Sequence, residues 1–332
     1  MAKAIVVHDI GGPEVLKWDE VPDTAPGPGQ ARVRHTAIGV NFVDIYFRTG
    51  VYKAPALPFV PGHEAAGVVE AVGPDVTEVK VGDRVAYAFV QGAYAQVRNI
   101  PAARLVPLPA DIDDRTAAAI MLKGMSAEYL LLRCGRVKRG DTILFHAAAG
   151  GVGLIACQWA KHLGVSVIGT VSTAEKARLA FENGCEHVIN YVKESFVHRV
   201  HEITHGEGVA VAFDSVGKTT FRATLDCIRA RGLMVSFGQS SGVVPPFDLS
   251  LLSIKGSLYL TRPTLASYIG TRPELLETAN DLFDVVRSGV VKVPPPRVLP
   301  LAQVADAHRD LEARHSTGSI VLDPIVDPSH EP

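Results

Sequence analysis

The stretch FHAAAGGVGLIACQWAKHLG, residues 145–164, most constrains how this chain can fold. It continues the apolar run TILFH, and its glycines precede apolar residues spaced at helical intervals. Within it, Ala147, Gly150 and Gly153 form the pattern A-x-x-G-x-x-G. Glycines at such a turn let a pyrophosphate approach the backbone N–H groups of a helix N-terminus. The sequence therefore predicts a strand, a dinucleotide-binding turn and a helix. The predicted cofactor contacts are Ala148, Gly150, Gly151, Val152 and Gly153.

Alternation of strand and helix continues beyond this turn. The short apolar runs SVIGTV, HVIN, VAVAF and LMVSFG are typical of strands buried on both faces, and helical segments separate most of them. SLYL, residues 257–260, predicts a sixth strand. This rhythm predicts a parallel sheet with helices on both sides, a doubly wound Rossmann domain over residues 123–262.

The residues before this domain follow a different pattern. Short strand-like runs such as KAIVVH, ARVRHTA and DRVAYA alternate with turns such as APGPGQ. Residues 1–122 are therefore predicted to form a β-rich domain, a distorted barrel. A capping box of Thr271 with Glu274 predicts a helix ending near Arg287. The tail over 263–332 ends in a strand-like run and is predicted to return to the first domain.

The end of the second strand of the Rossmann domain indicates which nucleotide binds. An acidic residue there would accept hydrogen bonds from the ribose hydroxyls of NADH. The chain instead has Ser172 and Thr173, with Lys176 just beyond, while Glu175 is expected to point outward. Two hydroxyls and an ammonium group can bind a 2′-phosphate that a carboxylate would repel. The sequence therefore favours NADPH, although Lys176 as a merely solvated helix residue is the alternative.

Composition excludes several classes of protein. Lys and Arg number 33 against 35 Asp and Glu, so no overall positive charge attracts nucleic acid or a membrane surface. The chain shows no signal-peptide pattern and no apolar run of membrane-spanning length. Its four cysteines have neither zinc-finger spacing nor the pattern of a secreted disulfide framework. We expect a cytoplasmic protein that binds neither membranes nor nucleic acid.

Several motifs resemble those of zeta-crystallin-type quinone oxidoreductases, within the medium-chain dehydrogenase/reductase superfamily. They include GDTILFHAAAGGVGLIACQWAK, IGVNFVDIYFRTGVY, PGHEAAGVVEAVG, RGLMVSFGQSSG and GSLYLTRP, and together they span nearly the whole chain. The resemblance is especially close to bacterial NADPH:quinone reductases. It implies a GroES-like catalytic domain, a Rossmann domain, hydride transfer from NADPH to quinones, and a homodimer.

The superfamily also contains zinc alcohol dehydrogenases, so a metal is a separate question. A catalytic zinc needs about three Cys, His or carboxylate ligands. By the resemblance, Asn41 stands where zinc members have a cysteine, and His63 matches a zinc-ligand position. No cysteine occurs in the first 133 residues, which removes the structural zinc lobe as well. The expectation is that no metal is bound and that His63 is a hydrogen-bonded residue of the site or core.

Without zinc, hydrogen bonds must stabilise the negative charge that hydride transfer leaves on a substrate oxygen. The resemblance places Asn41, Tyr46 and Tyr52 along the nicotinamide and substrate cleft, and Tyr46 also at the cofactor. We expect the two tyrosines to position the substrate more than to act as indispensable acids. Aromatic packing is the alternative for both.

The remaining cofactor contacts are implied by the resemblance. Those residues are Ser126, Tyr191, Ser215, Phe237, Gly238, Ser240, Ser241 and Arg314. Many superfamily members have Gly-Lys where this tail has Ser319 after its glycine, which puts a lysine role at that position in doubt.

Two other functions stay open from the sequence. The same hydride site could reduce an activated C=C bond in enones or alkenals. From a different class, a zeta-crystallin relative could be a structural lens protein or an RNA-binding protein that retains affinity for NADPH.

The edge strand at SLYL, with no later strand to cover it, predicts that two copies of the chain pair across a two-fold axis.

Overall fold

The structure, a computed structural model, describes residues 2–54, 56–313 and 318–325 of a mixed α/β chain. The chain divides into two compact units. The first, here the catalytic unit, comprises Met1–Leu122, Ile269–Phe283 and Val293–Pro332. The second, here the nucleotide unit, comprises Lys123–Tyr268 and Asp284–Lys292.

The catalytic unit is built on a seven-stranded sheet and a two-stranded antiparallel sheet. Its strands are β1 (Ala2–Val7), β2 (Leu16–Val21), β3 (Gln30–Gly39), β4 (Glu64–Val72), β5 (Arg84–Ala88), β6 (Val97–Pro101), β7 (Val106–Pro107), β14 (Arg297–Pro300) and β15 (Ile320–Asp323). The larger sheet has the order β14-β15-β3-β4-β5-β7, with β6 also paired to β3, and β1 pairs with β2. The tail strands β14 and β15 thus join this sheet, as the sequence pattern predicts.

Strand β3 shows why these residues form a half-buried sheet. Ala31, Val33, His35 and Ala37 are buried in alternation with more accessible residues, which is the period of two that a strand requires. Two helices of the unit matter for the site, α1 (Phe42–Arg48) directly after β3 and α9 (Val304–Glu312) between β14 and β15. Helix α2 (Asp114–Glu128) begins in this unit and ends in the other.

The nucleotide unit contains a six-stranded parallel sheet in the order β10-β9-β8-β11-β12-β13. Its strands are β8 (Thr142–His146), β9 (Ser166–Val171), β10 (His187–Asn190), β11 (Val209–Asp214), β12 (Ile228–Ser236) and β13 (Tyr259–Thr261). All six residues of β11 are buried, because a central parallel strand is covered on both faces. The predicted Rossmann topology is confirmed, and the sixth strand begins two residues later than the SLYL pattern indicated.

Helices connect these strands. They are α3 (Gly151–His162), α4 (Ala174–Glu182), α5 (Phe196–Ile203), α6 (Phe221–Leu225), α7 (Ser250–Ile254) and the long α8 (Arg272–Arg287), which follows the sheet. Helix α3 buries Ile155, Ala156, Trp159 and Ala160, which are spaced at helical intervals. The capping box of α8 is present, since Thr271 N donates to Glu274 Oε2 at 3.0 Å.

The compact units differ from the predicted boundaries at the second crossing. Residues 263–268 stay with the nucleotide unit, because Tyr268 stacks on Tyr129 with ring centroids 4.6 Å apart. Residues 284–292 also belong to it: Val291 is buried, and Lys292 N donates to Gln158 Oε1 at 2.9 Å. The end of α8 therefore packs with the nucleotide unit, which a reading of local pattern could not foresee.

Among the described residues, no helix combines the length and the apolar character that crossing a membrane requires.

Candidate functional site

The glycine-rich turn follows β8 directly. Ala147 takes the left-handed backbone conformation with φ of 55°, and Ala148 N donates to Thr170 O of the neighbouring strand at 3.1 Å. Gly150 is the N-cap of α3 and donates its N–H to Ala147 O at 2.8 Å. The turn therefore aims the first N–H groups of α3 at the carboxyl edge of the sheet, where an anion can bind.

A side chain at Gly153 would meet backbone atoms, and one at Gly151 would displace the end of a lysine side chain. A Cβ on Gly153 would lie 2.5 Å from Ala148 O and 2.6 Å from Ala147 O. A Cβ on Gly151 would lie 2.8 Å from Lys123 Cδ. The close approach of backbone to backbone fits the role that a pyrophosphate cradle requires of glycine.

Lys123 was not among the residues that the sequence singled out. It is buried in α2 with its aliphatic stem against Gly151. Only the motif LKGMSA, which also contains Ser126, could have drawn attention to it. Ser126 lies within the same helix and is half-buried.

The end of β9 carries the residues predicted to select the nucleotide. The side chain of Thr173 caps α4 by accepting a hydrogen bond from Lys176 N at 3.2 Å. Lys176 thus lies in the first turn of α4, where the helix dipole already contributes positive potential. Glu175 is exposed and Ser172 is half-buried. The hydroxyls and the lysine at this corner could bind a phosphate group separate from the pyrophosphate expected at the glycine-rich turn.

Tyr191 lies at the end of the adjacent strand β10. Its N–H donates to Val171 O at 3.1 Å, which holds it beside the Ser172 corner, and it is exposed enough to contact a ligand. Parallel strands place their carboxyl ends on one edge of the sheet, so the two positions are neighbours.

On the other side of the turn, the ends of β11 and β12 form one loop cluster. Phe237 N donates to Asp214 O at 2.9 Å, and Ser240 N donates to Ser215 O at 3.1 Å. A Cβ on Gly238 would lie 2.6 Å from Ser215 O. The predicted residues of β11 and β12 are thus brought together by backbone contacts.

Ser241 belongs to the same cluster, but its hydroxyl is committed within the loop. Its Oγ donates to Val216 O at 2.7 Å and accepts from Thr219 N at 3.1 Å. The backbone N–H of Ser241 also donates to Val216 O, at 2.8 Å, so both groups shape the loop. Arg314, the last of the predicted cofactor residues, lies outside the described residues.

In the catalytic unit, the predicted chemistry lies on α1. Asn41 is the N-cap of this helix, and its side-chain amide donates to Glu64 Oε2 at 2.7 Å. The other carboxylate oxygen of Glu64 accepts from Leu122 N at 2.6 Å. Asn41 and Glu64 are both buried, so the orientation of the amide is fixed by a charge-assisted hydrogen bond.

Tyr46 and Tyr52 form an aromatic pair, with ring centroids 4.9 Å apart. Tyr52 N donates to Tyr46 O at 2.9 Å, which fixes the turn after α1. Phe47 contacts Tyr52 at 5.7 Å and stacks on His63 at 4.9 Å. The three residues that the sequence proposed for catalysis are therefore carried by one helix and its following turn.

Asp44 is the organising residue that sequence reasoning missed. It is fully buried, and its Oδ2 accepts from Asn41 N at 2.9 Å while its Oδ1 lies 2.6 Å from His63 Nδ1. The only sequence signal was an aspartate three residues into a helix whose N-cap is asparagine, a capping-box spacing.

Asn41 and His63 bear on whether a catalytic zinc fits. Asn41 supplies a neutral amide, which is not among the usual zinc ligands, and it donates this amide to Glu64 Oε2 at 2.7 Å. His63 Nδ1 lies 2.6 Å from Asp44 Oδ1. Over residues 2–54, 56–313 and 318–325, no cluster of three or more His, Cys, Asp or Glu has a geometry that could hold a metal ion.

Comparison with known proteins agrees with this architecture. The alcohol dehydrogenase GroES-like domain model matches residues 27–110, and the zinc-binding dehydrogenase model matches residues 151–284. A quinone oxidoreductase of Pseudomonas aeruginosa is 51% identical over 325 residues, which cover 98% of this chain and 100% of that protein. A 2-haloacrylate reductase from a Burkholderia species is 48% identical, covering 98% and 99% of the two chains.

A solved structure gives the same result in three dimensions. The Escherichia coli quinone oxidoreductase in complex with NADPH superposes with a TM-score of 0.95 at 50% identity, covering 97% of this chain and 100% of that one. The catalytic unit is thus GroES-like and the nucleotide unit is of the Rossmann type. With half of its residues identical over nearly its full length, the chain belongs to the quinone oxidoreductase family of the medium-chain dehydrogenase/reductase superfamily.

Proposed function

We propose that this protein is a zinc-independent, NADPH-dependent reductase that transfers a hydride to quinones. The observation that carries the proposal is the end of β9, where hydroxyls and a lysine in the first turn of α4 replace a carboxylate. That corner lies on the same sheet edge as the glycine-rich turn. The related Escherichia coli and Pseudomonas aeruginosa quinone oxidoreductases support the acceptor class, and the former binds NADPH in its solved structure.

NADPH supplies the hydride when it is bound. The pyrophosphate would be held by the backbone around Gly150–Gly153 and the 2′-phosphate by Ser172, Thr173 and Lys176. The adenine side would contact Tyr191, and the nicotinamide side would contact Ser215, Phe237, Gly238, Ser240 and Ser241. Ser126 would support the cofactor from α2, and Arg314 would approach a phosphate.

On the catalytic unit, Asn41, Tyr46 and Tyr52 would orient the acceptor, with Tyr46 also against the cofactor. Their N–H and O–H groups can donate hydrogen bonds to an oxygen that gains negative charge. A quinone is electrophilic already, so orientation is the larger contribution of these residues. Asn41 is held by Glu64, which makes its amide a fixed donor rather than a mobile one.

Reduction of an activated C=C bond is a second candidate. The 48% identity with a 2-haloacrylate reductase favours it, because the name describes reduction of an acrylate. The same hydride donor and the same oxygen-directed hydrogen bonds would serve a conjugated carbonyl.

Steady-state oxidation of NADPH separates these functions. The assay compares 1,4-benzoquinone, an enone and 2-chloroacrylate as acceptors, and an alcohol with NADP⁺ in the reverse direction. We expect the quinone to give the highest kcat/KM and the alcohol to give none. Higher kcat/KM for the enone or the acrylate would establish the second candidate. Binding of NADPH without turnover of any acceptor would instead support a structural or RNA-binding role.

Zinc independence has its own test. Elemental analysis of the purified protein should give well below one zinc per chain, and quinone reduction should survive treatment with a chelator. Activity that disappears with the chelator and returns with zinc would contradict it.

A homodimer formed through β13 is part of the proposal. This strand ends the six-stranded sheet, and no described strand lies beyond it. Tyr259 on it is 65% exposed. An uncovered strand edge invites pairing with another copy, and two-fold pairing would extend the sheet into the second chain.

Light scattering tests the assembly. The wild-type particle should have twice the 35.4 kDa mass of one chain, and Tyr259→Arg should shift it towards the monomer. Phe181→Arg is the control, because Phe181 is a comparably exposed aromatic residue of the same unit, at 64%. A proline at Leu258 would be a poor test, since Leu258 N donates to Leu252 O within the chain. A wild-type monomer at micromolar concentration would refute the dimer.

We also propose that the protein resides in the cytoplasm. All four cysteines are free thiols, and Cys185 Sγ donates a hydrogen bond to Cys157 Sγ at 3.5 Å. Thiols this close favour a reducing compartment. Cell fractionation that recovers the protein with secreted or periplasmic proteins would contradict this.

A further inference from the structure

A row of buried polar side chains connects helix α9 to both ends of helix α1. Arg48 lies in the last turn of α1 with its side chain 1% exposed. It donates from Nη2 to Glu312 Oε1 and from Nε to Gly11 O at 3.1 Å. Its Nη1 lies 3.1 Å from His308 Nδ1. Arg48 and Glu312 thus form an ion pair between the two helices.

From His308 the row continues to the first turn of α1. His308 Nε2 lies 3.1 Å from the hydroxyl of Tyr94, and this hydroxyl donates to Asp44 Oδ2 at 2.7 Å. Asp44 Oδ1 lies 2.6 Å from His63 Nδ1. The sequence contains no local signal for this row, because its members are up to 264 residues apart.

Arg48 at one end of the row can only donate hydrogen bonds, and the Asp44 carboxylate at the other end can only accept them. Together they fix the direction of every hydrogen bond between them. A guanidinium has donors only, so His308 Nδ1 must accept from Arg48 and must carry no proton. The proton of the neutral ring is therefore on Nε2, which donates to the oxygen of Tyr94. The hydroxyl hydrogen of Tyr94 is then free to point at Asp44. This is the only placement of the protons that puts one hydrogen in each of the contacts Arg48–His308, His308–Tyr94 and Tyr94–Asp44.

The pKa values of the two middle residues agree with this assignment. Burial, as the largest cause, lowers the pKa of His308 to about 4, and the charge of Arg48 lowers it further against the opposing effect of Asp44. Burial and the nearby Asp44 carboxylate raise the pKa of Tyr94 well above 10.0. Both residues therefore keep the same protonation state through neutral pH.

We propose that Tyr94 and His308 are positioning residues that orient the Asp44 carboxylate, and that this carboxylate fixes the tautomer of His63. The carboxylate of Asp44 accepts hydrogen bonds only, so His63 must carry a proton on Nδ1, and in its neutral form Nε2 is an acceptor. His63 consequently cannot donate to a substrate oxygen in that form. This deepens the proposed reductase function, since it leaves Tyr46, Tyr52 and Asn41 as the donors.

The position of α1 explains how this affects the site. Tyr46 lies between Asp44 and Arg48 on the helix, so the row holds the segment of α1 on both sides of it. His63 stacks on Phe47, and Phe47 contacts Tyr52. A change in the orientation of the Asp44–His63 pair would therefore reach both tyrosines.

The same unit offers a matched control. Tyr87 is also a fully buried tyrosine whose hydroxyl contacts a buried histidine, His35 Nε2 at 3.0 Å. His35 Nδ1 is hydrogen-bonded to the backbone at Ala95 O, at 2.6 Å. Removing the hydroxyl of Tyr87 thus perturbs a similar Tyr–His pair. The hydrogen bonds of this hydroxyl are with His35 and Arg98, and neither residue lies on α1.

Nitrogen NMR of the histidine rings in the full-length protein tests the tautomer directly. His63 is assigned by the signal that disappears in His63→Gln. The expected wild-type pattern is a protonated Nδ1 and a bare Nε2. Tyr94→Phe should shift the His63 nitrogen signals, and Tyr87→Phe should leave them in place. A wild-type His63 protonated on Nε2 alone, or equal shifts in both variants, would overturn the proposal.

Activity gives a second readout if Tyr94→Phe folds poorly. Glutamine at 308 can still accept from Arg48 and donate to Tyr94, whereas leucine can do neither. We expect His308→Leu to lower kcat for quinone reduction about tenfold, less than the about 100-fold that a 1 Å misplacement costs. His308→Gln should restore most of kcat. Equal loss in both variants would mean that packing alone matters.

The NMR measurement needs no acceptor. Failure of the proposed reductase function and failure of this proposal can therefore be distinguished.

Discussion

The two units build their candidate sites in different ways. In the catalytic unit, buried side chains bond to one another: Asn41 to Glu64, and His63 to Asp44. In the nucleotide unit, the turn around Gly150 and Gly153 depends on glycines, and at Gly153 a side chain would collide with backbone carbonyl oxygens. One site depends on which polar atoms are paired, and the other on how closely peptide groups approach.

This difference determines which changes each unit can tolerate. A buried carboxylate is costly once its partners are removed, because its desolvation is no longer compensated. A glycine in a crowded turn is costly to replace, because backbone carbonyl groups cannot move aside as a flexible side chain can. Substitutions should therefore affect the catalytic unit through polar pairing and the nucleotide unit through steric contact.

The largest expected effect is the loss of the carboxylate at Asp44. Asp44→Ala leaves Asn41 N, the Tyr94 hydroxyl and His63 Nδ1 without their acceptor. The free energy of unfolding should fall by about 3–5 kcal/mol, because each buried donor left without a partner costs about 1–3 kcal/mol. Urea denaturation with fluorescence detection measures it.

Asp310→Ala is the matched control for this prediction. Asp310 pairs with Arg297 on the surface of the same unit, and exposed pairs contribute at most about 1 kcal/mol. Similar losses in the two variants would show that the buried network contributes no more than a surface contact.

Acid should destabilise the catalytic unit before the nucleotide unit. Burial lowers the pKa of His35 and of His308 from 6.5 to about 4. The unfolded chain binds a proton at each near pH 6.5, so between pH 6.5 and 4 the unfolded state holds more protons and stability falls as the pH falls. Each fully shifted imidazole corresponds to about 3 kcal/mol. In the nucleotide unit, burial also lowers the pKa of His146.

Amide hydrogen exchange measured between pH 7 and pH 4.5 tests this difference. It compares the protection of β3 and β4 in the catalytic unit with that of β8 and β11 in the nucleotide unit. His35→Gln should reduce the loss of protection in the catalytic unit, and His162→Gln, at an exposed position, should not. Earlier loss of protection in the nucleotide unit would be the contrary result.

The same contrast explains what the sequence could predict. The alternating apolar runs, the glycine spacing and the capping box are local patterns, and they were sufficient for the parallel sheet, the turn and α8. Asn41, Tyr46 and Tyr52 came from resemblance, and the structure places them on one helix and turn. Asp44, Tyr94 and His308 escaped notice because their bonds join residues far apart in the chain.

Other differences also arise from tertiary contacts. Thr173 was predicted to be a phosphate ligand, and its side chain also caps α4. Ser241 was predicted from its place in a loop, yet its hydroxyl is bonded to Val216 O and Thr219 N. No local pattern distinguishes a serine that binds a ligand from one that shapes its own loop.

Gly153→Ala should show the steric character of the nucleotide unit. The new Cβ would lie 2.5 Å from Ala148 O, so the start of α3 must shift. We expect a loss of about 3 kcal/mol in unfolding free energy, the upper part of the range for overpacking, together with weaker NADPH binding. Gly150→Ala is the milder comparison, because its Cβ would meet only Ala147 O, at 3.1 Å. Calorimetry and NADPH titration measure both, and equal effects would argue against the backbone contact.

The smallest expected effect tests the one place where the nucleotide unit would rely on a charged side chain. Lys176→Ala removes the ammonium group from the first turn of α4. A charge-assisted contact with the 2′-phosphate contributes about 2 kcal/mol, so kcat/KM should fall about thirtyfold for NADPH and little for NADH. Arg178→Ala is the control, because Arg178 is a cation on the same helix that pairs with Glu182. Equal losses for both nucleotides, or an equal effect of Arg178→Ala, would show that Lys176 makes no specific contact with the 2′-phosphate.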